Sequence, residues 1–144
     1  MLIAIIITGT LLLVATAIMN TSVKQAFLSS AGRESQYAFY AADSGTECAI
    51  YWDAKDPQGY SAFSTSTAST ITCNKDSANP GNQFVTGGSS APSTFIVTFL
   101  PDPYCAKVTV TKNADNTTKI EALGYNTCDS SNPRRVERAV RVTY

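Results

Sequence analysis

The chain has 144 residues, 11 Lys+Arg against 11 Asp+Glu, four cysteines and no histidine. One domain's worth of sequence at zero net charge argues against a multidomain enzyme and removes the simple electrostatic case for binding nucleic acid or an anionic membrane surface. The lack of histidine removes the commonest general base, neutral-pH switch and metal ligand.

Apolar residues are unevenly spread. Residues 1–19 read MLIAIIITGTLLLVATAIM, 15 of 19 apolar, and the first charge is Lys24. At ~1.5 Å per residue such a run reaches ~28 Å, about the hydrocarbon thickness of a bilayer. It lacks the polar stripe of a globular core helix, so it is read as a membrane segment at some stage. A secretory signal peptide needs a basic start and a small-x-small cleavage site; Ala15-Thr16-Ala17 has that form but lies inside the run. No basic residue precedes the run to set its orientation. The orienting charges were therefore on a leader since removed, or Lys24 faces inward. The four cysteines favour the first, with Met1 as the start of a processed chain.

No proline occurs before Pro57, so one helix is predicted to run to about Ala54. Phe27, Ala31, Ala38, Ala41, Ala42, Cys48, Ala49 and Trp52 recur at helical spacing, while Lys24, Arg33, Glu34, Gln36, Asp43 and Glu47 face water. Gly32 and Gly45 weaken the helix by ~1 kcal/mol each. A helix of this length, ~80 Å, exceeds what a head of some ninety residues covers, so lipid or other chains must bury its apolar half.

Residues 57–101 carry only Lys75 and Asp76 as charges and are rich in Ser, Thr, Gly and Asn. Alternation predicts strands at Ser69–Cys73, Asn82–Thr86, Ser93–Leu100, Cys105–Lys112, Thr117–Tyr125 and Arg134–Tyr144. Asn113-Ala114-Asp115-Asn116 is a turn signal that makes a hairpin of the fourth and fifth. The fold class is α+β: a long N-terminal helix, apolar in its first half, with an antiparallel sheet head packed on its second half. The parts are 1–23 (apolar helix), 24–56 (its amphipathic continuation) and 57–144 (disulfide-bonded head). Tyr51, Trp52, Phe27 and Tyr40 are the candidates for the helix–sheet contact.

Four cysteines in a small head outside the cytosol point to disulfides. The hairpin brings Cys105 towards Cys128, leaving Cys48 for Cys73. The loops closed are 25 and 23 positions long, worth roughly 3 kcal/mol each in the chain-entropy model. A tetrathiolate zinc site would want Cys-x-x-Cys spacing, which is absent.

The stretch Ala38-Phe39-Tyr40-Ala41-Ala42-Asp43-Ser44-Gly45, followed by Glu47-Cys48-Ala49, resembles the bacterial type IV pilin-like proteins. The resemblance is to a subset whose long helix carries Ala-Ala, then Asp or Glu, then Ser or Ala, then Gly. It implies that a prepilin peptidase cuts a short basic leader and that Met1 becomes the new, often N-methylated terminus. It also implies that residues 1–23 pack in a filament core, with Leu2, Ile3, Ile5, Ile6, Ile7, Leu11, Leu12, Leu13, Val14 and Ile18 as the assembly surface. The implied partners are further copies in a helical homopolymer, the inner-membrane pilus assembly machinery, and the cytoplasmic membrane before assembly. The implied location is an extracellular surface filament. Two positions depart from the pattern: Ile5 stands where most major pilins have a glutamate, and Ser22 where a helix-kinking proline is common. Gly9 between Thr8 and Thr10, or Asn20-Thr21-Ser22, is then the expected place for local unwinding. Burying half the apolar segment between copies would remove several hundred Å², worth ~10 kcal/mol before entropy. In lipid the same segment gains little from other helices, so assembly needs an energy-consuming machine.

The sharper readings rank below plainer ones. Arg134, Arg135, Arg138 and Arg141 could meet DNA phosphates, but pairing with Glu137, nearby aspartates or a neighbouring subunit is preferred, and no nucleic-acid partner is expected. Asn74, Asp76, Asn79 and Asn82 offer oxygens for calcium, yet they are ordinary turn residues; no metal or cofactor is expected. Residues 61–72 hold eight Ser or Thr in twelve positions, a candidate for O-glycosylation. Asn20-Thr21-Ser22 and Asn116-Thr117-Thr118 have the N-glycosylation form. Tyr37, Phe39, Tyr40, Tyr51 and Trp52 are assigned to helix–sheet packing rather than charge conduction. No nucleophile, P-loop or paired-carboxylate motif appears, so no enzyme activity is expected. The reading is a structural filament subunit. The alternatives are a minor pilin or pseudopilin, or a monomeric membrane-anchored surface domain.

Overall fold

The computed structural model describes residues 1–54, 61–75, 82–88, 92–115 and 117–144. Helix α1 runs Leu2–Ala54, the continuous helix that the absence of proline allows. It is followed by β1 (Ala68–Cys73), β2 (Asn82–Gly87), β3 (Ser93–Thr98), β4 (Cys105–Lys112), β5 (Thr118–Tyr125) and β6 (Glu137–Thr143). The chain forms two compact units, Met1–Arg33 and Glu34–Tyr144.

The first unit is helix alone, with every residue exposed. The expected unwinding at Gly9 or at Asn20-Thr21-Ser22 does not occur. The hydroxyls there bond back onto the helix's own carbonyls: Thr8 donates to the carbonyl of Ala4 at 2.9 Å, Thr10 to Ile7 at 2.9 Å, Thr21 to Ile18 at 2.9 Å and Ser22 to Ile18 at 2.9 Å. Thr16 does the same to Leu12 and Leu13. Each polar side chain of this kind finds its acceptor within its own helix, which an apolar solvent demands.

In the second unit the strands divide into two sheets, where the sequence suggested one. β1 and β2 form an antiparallel pair with Ile71 opposite Phe84. β3-β4-β5-β6 form an antiparallel meander in sequence order. Between the sheets, side chains replace the backbone ladder. The Asn82 Oδ1 accepts from the Thr98 amide at 3.2 Å and hydroxyl at 2.6 Å, and its Nδ2 donates to the Thr98 carbonyl at 3.0 Å. The Asn74 amide donates to the same carbonyl at 2.9 Å. Phe63 and Phe84 pack on Phe95 with centroids 6.1 and 5.1 Å apart.

The larger sheet packs its inner face on the last part of α1. Val108, Val110, Ile120 and Ala122 from the sheet meet a helix stripe of Ala38, Ala41, Ala42, Gly45, Thr46 and Ala49, all buried. The aromatic contacts expected for this face are mostly absent. Tyr40 and Tyr51 are 61% and 51% exposed, and Phe27 lies in the first unit, also exposed. Phe39 is likewise exposed. Trp52 alone of that set is half-buried, its indole N–H donating to the Thr72 carbonyl at 3.1 Å. Small residues replace aromatics because helix and sheet approach too closely for rings. A Cβ on Gly45 would lie 2.8 Å from Val108 Cγ2 and 3.0 Å from Ala106 Cβ, and one on Gly124 would collide with the backbone of Ala38 and Ala42.

Candidate functional site

An assembly surface must be apolar, exposed in the single chain and free of unmet polar groups. Leu2, Ile3, Ile5, Ile6, Ile7, Leu11, Leu12, Leu13, Val14 and Ile18 are each 53–73% exposed. They surround the helix on all sides rather than forming one stripe. By length and composition α1 is apolar enough to cross a membrane. Position 5 presents an aliphatic side chain, so no carboxylate is available there to meet an amine.

The head that this helix carries is locked at two kinds of point. Cys48 of α1 is bonded to Cys73 of β1, with Cα atoms 5.9 Å apart, and Cys105 of β4 to Cys128, with Cα atoms 5.6 Å apart. The β4–β5 register sets Cys105 opposite Tyr125, three residues before Cys128, as the hairpin implied. The turn residue Asn116 lies outside the described residues.

The second lock was not foreseen. Asp53, with its side chain 3% exposed, gathers donors from three distant parts of the head. The Lys112 ammonium of β4 reaches its two oxygens at 2.6 and 2.8 Å. The Tyr144 hydroxyl donates to Oδ2 at 2.7 Å, and the Ser61 hydroxyl donates to Oδ1. Lys112 also donates to the Thr118 hydroxyl at 2.6 Å. Tyr144 is itself fixed by two backbone bonds with Thr118, at 2.8 and 3.1 Å. A carboxylate in the last turn of a helix opposes the helix dipole, and the lysine offsets that cost.

Burial alone would raise the Asp53 carboxyl. The hydrogen bonds from Lys112, Ser61 and Tyr144, with the Lys112 charge, outweigh it and hold the group below its ordinary 3.8. Burial, and then the bond to Asp53, raises the Tyr144 phenol. A carboxyl depressed in the folded state stabilises fully above its unfolded value and loses that contribution as pH falls through the folded one. Replacing Asp53 by asparagine is therefore expected to cost about 2 kcal/mol near pH 7, less than a fully buried pair because Lys112 is a quarter exposed. The difference between variant and parent should shrink below about pH 3.8. Urea midpoints followed by circular dichroism at pH 7 and pH 3 check this. An equal gap at both values refutes the ionised pair.

The four arginines do not act as a row. Arg134 and Arg135 precede β6 rather than lying in it, because the Asn126 side chain holds the connection. Its Oδ1 accepts from the Val136 amide at 2.7 Å, and its Nδ2 donates to the Arg134 carbonyl at 3.1 Å. Arg135 lies over the Tyr125 ring, 3.7 Å from its centroid. Arg138 donates to the Ser35 hydroxyl at 2.8 Å. Arg141 grips Glu121 across the β5–β6 ladder with Nε at 2.9 Å and Nη2 at 2.6 Å; Glu121 also meets Lys119 at 2.8 Å. Bonds from Lys119 and Arg141 hold the Glu121 carboxyl below its usual range.

Of the eight hydroxyls at 61–72, Ser61 serves Asp53, Ser69 is buried and Ser64 and Thr72 are half-buried, leaving Thr65, Ser66, Thr67 and Thr70 exposed. Of the calcium candidates, Asn74 and Asn82 spend their amides on Thr98, while Asp76 and Asn79 lie outside the described residues. Among the described residues no group of three acidic, histidine or cysteine side chains could hold a metal.

No protein-family model matches the chain, and no curated protein or solved structure matches it either.

Proposed function

We propose that the chain is a structural subunit, a pilin, of an extracellular type IV pilus-like filament that polymerises through its N-terminal helix. The observation carrying this reading is the first unit: exposed helix from Leu2 to Arg33, without a charged side chain before Lys24, attached to a head with its own closed core. Lipid before assembly and neighbouring helices after it are the two apolar surroundings such a segment can have. The head supplies rigidity through its disulfides and the Asp53 lock, and a polar outer surface. On this reading inner-membrane machinery extracts the subunit from the membrane.

The experiment is cryo-electron microscopy of material sheared from the cell surface. Thin filaments with core density fitting residues 1–23 support the proposal. Absence of the chain from filaments, or its confinement to their tips, refutes the main-subunit role.

One observation favours a second reading, a monomeric membrane-anchored domain. The hydroxyls of Thr8, Thr10, Thr16, Thr21 and Ser22 are satisfied within the helix, so one copy can rest in lipid without a partner. Both readings need the apolar run. An arginine at Leu12 costs about 3 kcal/mol at the centre of a spanning helix. The expected result for Leu12→Arg is a marked shift from the membrane pellet to the soluble fraction; unchanged partitioning refutes membrane residence.

A further inference from the structure

A cleft beside the loop between β3 and β4 is unused by the features above. It has a volume of about 280 Å³ and is lined by Glu34, Tyr37, Asp102, Pro103, Tyr104 and Asn126, all within the second unit. This is smaller than the ~300–1,000 Å³ typical of small-molecule sites, so a single side chain suits it better than a drug-sized ligand.

Its walls are fixed. The loop is closed by bonds from the Asp102 amide to the Phe99 carbonyl (3.0 Å) and from the Cys128 amide to the Pro103 carbonyl (2.9 Å). Tyr104 stacks on Tyr37, with centroids 5.7 Å apart and planes within 9° of parallel, and meets Phe99 at 5.6 Å with the rings tilted by 35°. Tyr37 remains 41% exposed.

The two carboxylates are held by neutral donors. Asn126, itself buried, donates to Glu34 Oε2 at 2.8 Å, and the Tyr104 hydroxyl donates to Asp102 Oδ2 at 2.7 Å. These bonds orient both groups without cancelling their charge. Among the described residues no Lys or Arg forms an ion pair with either. Fixed carboxylates beside an open tyrosine complement a planar cation that donates in its plane and stacks through its face, which describes guanidinium better than ammonium.

We propose that this cleft receives an arginine side chain from a second copy of the chain. The choice of a second copy rests on the filament reading. Arg134 is the donor the head leaves over. Arg141 is held by Glu121, Arg135 lies on Tyr125 and Arg138 is bonded to Ser35, whereas the exposed Arg134 guanidinium has no hydrogen-bond partner among the described residues.

Two measurements on the full chain test this. In detergent micelles, the ring resonances of Tyr37 and Tyr104 are followed while N-acetyl-arginine amide is added, with the uncharged citrulline analogue as control. The expected result is a saturable shift with arginine, none with citrulline, and at least tenfold weaker binding in the Glu34→Gln/Asp102→Asn variant. No response, or an equal response to citrulline, overturns the site whether or not filaments exist. In cells, Arg134→Gln and Glu34→Gln/Asp102→Asn should each lower incorporation into filaments several-fold, with the combination no worse than either. Unchanged incorporation, or losses that multiply, overturns Arg134 of a second copy as the occupant. If the unaltered chain forms no filament, the filament reading fails and the second copy with it, while the micelle titration still decides the cleft.

Discussion

Replacing all four cysteines by serine is expected to lower the unfolding free energy of the head by about 6 kcal/mol, or to prevent folding. The loops closed by Cys48–Cys73 and Cys105–Cys128 span 25 and 23 positions, and each crosslink is worth about 3 kcal/mol through the conformations it denies the unfolded chain. Small domains have about 5–15 kcal/mol in all, so the double loss approaches the whole. The two bridges share neither a strand nor a loop. Cys48–Cys73 ties α1 to the two-stranded sheet, and Cys105–Cys128 ties β4 to the segment after β5. The single-pair variants are thus expected to be near-additive. Urea unfolding of the parent, the two pair variants and the fourfold variant reads each figure. Loss of less than about 2 kcal/mol in the fourfold variant would show that the core and the Asp53 lock suffice.

The second large effect lies at Gly124. Valine there is expected to cost about 4 kcal/mol, above the ~1–3 kcal/mol of ordinary overpacking, because the atoms in the way are helix backbone. Even a single Cβ on Gly124 would run into the Ala38 carbonyl and the Ala42 amide, which have no rotamer to change. Gly45→Ala offers a contrast, since the atoms it meets are the side chains of Val108 and Ala106, and a smaller loss is expected. If Gly124→Val unfolds at the parent's urea midpoint, helix and sheet are not in the close contact described.

Much of this architecture was legible because it is written in short-range pattern. The long helix follows from the missing proline. β4 follows from its alternating valines and threonines and β5 from the alternation beyond a turn of Asn, Ala and Asp, and that hairpin led to the disulfide pairing. The helix–sheet seam was misread because ring size suggested Tyr40 and Tyr51, whereas the approach is set by glycine and alanine. A glycine such as Gly45 reads as a helix weakener until its partner strand is known. The Asp53 lock was invisible for a different reason. Its members lie as far apart as Asp53 and Tyr144, 91 positions, and only the registers of β4, β5 and β6 bring them together. The split into two sheets was equally hidden, since it depends on asparagine side chains reaching Thr98 where a backbone ladder would otherwise continue.

The small-residue seam also bears on how the protein is made. The helix is synthesised before any strand that will cover it, so its inner stripe must wait in water until residues 93–125 emerge. A stripe of alanine, glycine and threonine offers little apolar area to another unfinished chain, whereas rings at the same positions would form an adhesive face. The close packing that leaves no room at Gly124 therefore also gives the nascent chain a stripe, from Ala38 to Ala49, that offers little for another unfinished chain to hold.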